Sequence, residues 1–248
     1  MRISPRLALV GSGRAGLGLT SPWDCNVYLV EAGGDALLID AGCGLEPGRI
    51  LARIEATGTD PSRVSHVLLT HGHADHAAGA GFMARELGAR IVCPAASAGA
   101  LRAGDEQASG LAAARAAGSY PADFSYPPAP VHRAVGDGDT VALGPLTITA
   151  VATPGHSYDH TSYLLQDPGE DGRTLFGGDV LLTDGRVLLL ATPDCRLDAY
   201  AATIRRLAAL NVRGLLPGHG AFTLSDGAHA VAAAAGYFER LVPPPSMT

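Results

Sequence analysis

The chain has 248 residues, of which 47% are hydrophobic and only 17% charged, enough apolar content to bury a substantial core. A formal net charge of −6 argues against non-specific nucleic-acid binding, and no apolar run approaches the roughly 18–20 residues that span a bilayer. The arginine-bearing start holds an apolar stretch of only about four residues before Gly11, too short for a secretory h-region. The four cysteines (Cys25, Cys43, Cys93, Cys195) show no CxxC spacing, and together these features predict a cytoplasmic protein with reduced thiols.

The recurring unit along the chain is a short apolar, β-branched run that ends in a glycine-containing loop. Residues 27–30 and 36–39 read as a hairpin turning at Gly33-Gly34-Asp35. Helical spacing over 48–56 stops before Gly58, and 64–70 is a nearly continuous apolar run, as expected of a strand buried on both faces. Residues 77–87 predict one helix closed by Gly88, and 91–93 the next strand. From 94 to 130 the pattern breaks into Ala-rich helical stretches (96–101 and 107–117) and a segment rich in Pro and Tyr. This reads as an insertion, whose Ala-rich helices either simply pack on the domain or cap the substrate.

Strands resume at 140–143 and 146–152 around Gly144-Pro145, then at 162–166, 174–176 and 186–190. An amphipathic helix over 198–210, a short strand at 214–216 and a terminal helix over 227–241 complete the series. Strands and helices alternate with no dividing linker and no short-period repeat, which predicts one α/β domain.

The segment Thr70-His71-Gly72-His73-Ala74-Asp75-His76 places four potential metal ligands directly after a buried strand. Small Gly72 and Ala74 leave room between the side chains, and residues two apart on an extended loop can converge on one ion. Asp75 and His76, at the turn into a helix, can face a second ion. Imidazole nitrogen and carboxylate oxygen suit zinc, with iron or manganese as alternatives. His156, Asp179 and His219 each follow an apolar strand and a glycine, the position where loops meet at a sheet edge. His66, His132, His160 and His229 read as ordinary hydrogen-bonded or surface residues.

These motifs in this order (HxHxDH, a later His, a Gly-Asp, then Pro-Gly-His-Gly) resemble the metallo-β-lactamase superfamily, in its glyoxalase II and lactonase-like branch, from about residue 27 to His219. The resemblance implies a single-domain, four-layer αββα sandwich with a dinuclear site at the sheet edges. It implies that His71, His73 and His156 bind one ion, that Asp75, His76 and His219 bind the other, and that Asp179 bridges them. Asp40 matches a position that supports the ligands from behind. Two zinc ions sharing a hydroxide would attack an ester, thioester or lactone carbonyl of a small molecule, with Asp75 orienting the nucleophile and passing on a proton.

Aspartate at 179 is unlike the true β-lactamases, which commonly carry Cys or Ser there. Leu182 stands where quorum-signal lactonases often have Tyr, and only about 29 residues follow His219, which argues against a glutathione-binding helical region. Trp23, at the end of a Gly-rich loop (11–24), and Tyr120, Phe124 and Tyr126, in the 94–130 segment, are candidates for an apolar substrate wall. The rival from another class is a mononuclear iron oxygenase of persulfide-dioxygenase type, using only His71, His156 and Asp179. A third reading is a binding module that keeps the fold without turnover. The sequence assigns no nucleic-acid or membrane partner and no oligomeric state.

Overall fold

In a computed structural model that describes residues 1–247, the chain forms two compact units, Met1–Val135 and Gly136–Thr248. No helix among the described residues is long and apolar enough to cross a membrane.

The first unit is built on a six-stranded sheet with strands in sequence order. Strands β1 (Leu7–Gly11), β2 (Val27–Ala32) and β3 (Asp35–Ile39) pair antiparallel; β4 (Val64–Leu68), β5 (Arg90–Pro94) and β6 (Arg133–Val135) continue in parallel. The β2–β3 hairpin turns at Gly33 and Gly34, both at positive φ (62° and 124°), as the Gly-Gly pair predicts. Helix α1 (Pro47–Glu55) is nine residues long, too short to persist alone. Its Ile50 and Ile54 are completely buried in the first unit's apolar core, and at about 1.5–3 kcal/mol for each buried side chain this packing holds the helix.

The helix expected over 77–87 is split into α2 (Ala74–Ala77) and α3 (Ala80–Leu87). The break has a physical cause at Gly79, whose N–H donates to Gly42 O (3.0 Å) and whose backbone runs so close to Ala41 that a Cβ would lie 2.2 Å from its carbonyl oxygen. Helix α3 does end at left-handed Gly88.

The 94–130 segment is the crossover between parallel strands β5 and β6 and not an appendage. It carries α4 (Ala98–Ala103) and α5 (Leu111–Ala116), and Leu101, Leu111, Phe124 and Tyr126 belong to the first unit's core. Strands β1 and β6 lie outside the sequence expectations; β6 has only three residues, below the length at which alternation is legible.

The second unit holds a five-stranded sheet in the order β11-β10-β9-β8-β7. Strands β7 (Thr140–Leu143), β8 (Leu146–Ala152), β9 (Thr161–Gln166) and β10 (Arg173–Gly178) are antiparallel, and β11 (Val212–Pro217) adds in parallel to β10. Helix α6 (Leu197–Ala208) buries Tyr200, Ile204 and Leu207, and α7 (Gly227–Glu239) buries Ala230, Val231 and Ala234 in the same core.

The strand expected over 186–190 is absent. Only Val187 makes a single bridge, to Ser246, and the carbonyl of Leu188 is spent on two side chains, Tyr200 and His156. A carbonyl taken by side chains is not available to a ladder.

Candidate metal-binding site

In the first unit the donors stand at the end of β4 and in the first turn of α2. Asp40, directly after β3, is buried and adopts φ 64°, a left-handed conformation that aspartate tolerates better than most residues. Its carboxylate accepts from Thr70 N (2.7 Å), from the Thr70 hydroxyl (3.1 and 3.0 Å) and from His76 Nδ1 (2.8 Å). These bonds offset the cost of burying a charge. They also set the tautomers. A carboxylate can only accept, so the Thr70 hydroxyl gives it its proton and in turn accepts from His71 Nδ1 at 3.0 Å. With Nδ1 protonated on both rings, the metal-binding lone pair sits on Nε2.

His71 and His73 offer donor atoms within 4.8 Å of each other, and His76 Nε2 lies 3.6 Å from Asp75 Oδ2. Gly110, at the start of α5 with φ 74°, backs His73; a Cβ there would stand 3.6 Å from the imidazole. Cys25, Asp40 and His76 also lie together, but burial, with only partial relief from His76, raises the Cys25 thiol far above its ordinary range. Burial raises Cys43 likewise, with Asp24 adding to it. Neither thiol is a nucleophile at neutral pH.

In the second unit the loop carrying His156 is seated on α6. Arg196 N donates to Gly155 O (2.7 Å) and the Thr203 hydroxyl to Pro154 O (2.7 Å). Gly155 packs on Tyr200 so closely that a Cβ would meet the ring at 2.7 Å. At φ 152° this backbone also disfavours a side chain. Gly155→Ala is therefore expected to destabilise the protein by about 1–3 kcal/mol and to shift His156. A thermal melt with metal titration checks this, and unchanged stability and metal affinity would contradict it.

His156 Nδ1 donates to Leu188 O at 2.9 Å, which again leaves the lone pair on Nε2. Gly218 N donates to Gly178 O at 2.7 Å, joining the ends of β10 and β11 where Asp179 and His219 sit. Asp179 Oδ2 lies 3.5 Å from His156 Nε2 and 3.4 Å from His219 Nε2. Those separations are long for hydrogen bonds but match the roughly 3.3–3.4 Å edge of a tetrahedron with bonds of about 2.0–2.1 Å. One carboxylate oxygen thus lies at metal-ligand spacing from two imidazoles.

The four aromatic candidates divide into two pairs. Phe124 and Tyr126 are each only 3% exposed, inside the first unit's core, and form no open wall. Trp23 and Tyr120 are partly buried at its margin. Trp23 Nε1 donates to Ser119 O (3.1 Å), which ties the Gly-rich loop to the crossover, and Arg14 lies over its ring. Asp24, buried beside it, accepts from the Thr20 hydroxyl (2.6 Å), Ser21 N and Cys43 N and so anchors that loop. The Tyr120 ring leans on Phe124 (centroids 5.0 Å apart) and its hydroxyl donates to Asp75; burial, then the Asp75 charge, raises it above the ordinary phenol range. An amphipathic alternation cannot reveal that contact, because it depends on how the crossover folds back.

Of the remaining histidines, His66 Nδ1 pairs with Ser65 Oγ, His132 Nδ1 accepts from Ile91 N, and His229 is exposed on α7. His160 is different. It is buried and bound to the backbone of Asp179, and spacing alone gave it no role.

Both α/β units, each built on a mixed sheet, carry at their strand ends His and Asp side chains of the kind that can hold a divalent ion. The profile of the metallo-β-lactamase superfamily matches residues 20–219, and the chain belongs to that superfamily. It is similar to the atrochrysone carboxyl ACP thioesterase of Aspergillus fumigatus (31% identity over 220 residues, 88% of this chain and 57% of that one). Thioesterase pkgB of Emericella nidulans is 30% identical over 195 residues, 79% of this chain and 45% of that one. The chain thus spans about half the length of these curated relatives. A HARLDQ-motif mutant of the Cronobacter sakazakii metallo-β-lactamase superposes with a TM-score of 0.74 at 22% identity, over 97% of this chain and 95% of that one, which shows the metallo-β-lactamase fold.

Proposed function

We propose that this chain is a metal-dependent hydrolase that cleaves a small acyl thioester, or a related ester or lactone. In this reading His71, His73 and His156 hold one divalent ion, Asp75, His76 and His219 a second, and Asp179 bridges the two. The observation that carries it is the Asp179 oxygen poised at metal-ligand spacing from both His156 and His219. The Asp75–His76 spacing of 3.6 Å favours a second ion over a single iron centre. All-imidazole and carboxylate donors suit zinc, and iron or manganese accept the same set.

Ions held by these residues would supply a hydroxide at neutral pH and would polarise the carbonyl under attack. The protein's own groups do the positioning. Asp40 and Leu188 O fix the imidazole tautomers, and the α6 contacts hold the His156 loop. Asp75, steadied by the Tyr120 hydroxyl, orients the nucleophile and carries a proton to the departing thiolate as the acyl C–S bond is replaced by C–O. Trp23 and Tyr120 stand on the substrate side, with the crossover as the capping segment.

The thioesterase names of the relatives support the thioester as the preferred bond. Assay of the metal-replete protein against acyl thioesters, aryl esters, lactones and a cephalosporin tests this. We expect thioester turnover to exceed β-lactam turnover by at least about 100-fold, roughly 2.7 kcal/mol of transition-state preference. Preferred β-lactam cleavage, or no turnover of any substrate, would overturn the reading.

A further inference from the structure

Asp179 is unusual among the candidate ligands in that side chains, and not a sheet ladder, hold both polar groups of its peptide. Its N–H donates to His160 Nε2 at 3.0 Å and its carbonyl accepts from the Tyr200 hydroxyl at 3.2 Å. From His160 the bonding continues. His160 Nδ1 pairs with the Thr153 hydroxyl (2.8 Å), Thr153 with the Ser162 hydroxyl (2.9 Å), and Ser162 donates to Gly177 O (3.3 Å). Thr153, His160, Ser162 and Asp179 are all 3% exposed or less, so no water competes for these groups.

The two ends of this chain determine its direction. A backbone N–H can only donate and a carbonyl can only accept. Since Asp179 N–H gives its proton to His160 Nε2, the neutral ring must carry its own proton on Nδ1. Since Ser162 gives its proton to Gly177 O, Thr153 must donate to Ser162 and accept from His160. Every donor and acceptor in the series is then matched in one arrangement only. Both ends fall on the same three residues, Gly177-Gly178-Asp179, where Gly178 turns the chain at φ 52°. The series is a closed clamp around the turn that presents the Asp179 carboxylate.

We propose that His160, acting through Thr153 and Ser162, is a positioning residue that fixes the Asp179 backbone so that its carboxylate lies between His156 and His219; the metal-related part of this rests on the dinuclear reading above. His160 touches no substrate and is not a ligand. Its work is to lock the peptide from which the bridging oxygen projects.

The test combines a readout on the metal-free protein with one on the cobalt-substituted protein. In the metal-free protein, ¹⁵N spectra of the His160 ring should show protonated Nδ1 and unprotonated Nε2. A proton on Nε2 would refute the clamp whatever the metal does. Co²⁺ titration should then show His160→Leu and Thr153→Val binding about 10–100-fold more weakly than the unaltered protein, with altered visible bands. His160→Gln, whose Oε1 can accept from Asp179 N, should recover the bands and most of the affinity, which a generic packing role would not produce. Thr153→Val, which keeps the side-chain shape, serves if His160→Leu fails to fold. Wild-type affinity and bands in both variants would overturn the positioning role. No Co²⁺ binding by the unaltered protein would instead overturn the dinuclear reading.

Discussion

Asp179→Ala is expected to remove metal and activity together. The residue is a carboxylate placed 3.5 Å from His156 Nε2 and 3.4 Å from His219 Nε2, so its loss would deprive both proposed ions of a ligand. Loss of a group behind a ligand costs about 10–100-fold in metal affinity or activity, so removal of a bridging ligand should exceed about 100-fold. Asp179→Asn should fall in between, because it keeps the shape and the backbone contacts to His160 and Tyr200 while losing the negative charge that opposes two cations. Metal content and thioester turnover, measured on the same preparations, check this. An alanine variant with full metal content and rate would remove Asp179 from the centre.

Chelation is expected to abolish turnover and lower thermal stability reversibly. Ions that bind only the folded chain stabilise it by mass action, about 2.7 kcal/mol for one site at a ligand concentration about 100 times Kd. For a chain of this length each kcal/mol is worth about 2–4 °C, so withdrawing one such ion should lower the Tm by about 5–11 °C. Asp179 is also buried beside His156 and His219, so withdrawing cations that would balance its charge adds to the loss. Melting curves with chelator, then with zinc restored, check the prediction. A Tm indifferent to chelator and zinc would contradict it.

The HxHxDH run was legible because four donors lie within six residues, a density that packing alone does not require. The three isolated candidates, His156, Asp179 and His219, stood out by their shared setting of strand, glycine and donor. The structure gives that setting a cause: Gly155 must lie flat on Tyr200, and Gly178 must turn the chain before Asp179. The groups that hold these candidates were not legible. Tyr200 reads as one more apolar position of an amphipathic helix, and His160 as one more satisfied histidine, because each acts on backbone atoms that a sequence pattern does not display.

The same limit explains the strand expected over 186–190. Its composition favours β structure, but tertiary contacts to His156 and Tyr200 take the Leu188 acceptor first. Phe124 and Tyr126 went the other way. Aromatics in a Pro-rich stretch suggested a substrate wall, whereas the parallel crossover draws them into the core.

Metal content per chain, by elemental mass spectrometry on protein purified without chelators, tests the central claim most directly. The dinuclear account predicts about two divalent ions per chain, zinc foremost, falling together in Asp179→Ala. A single iron would point instead to oxygen-dependent chemistry, and no bound metal after metal-supplemented expression would contradict the account.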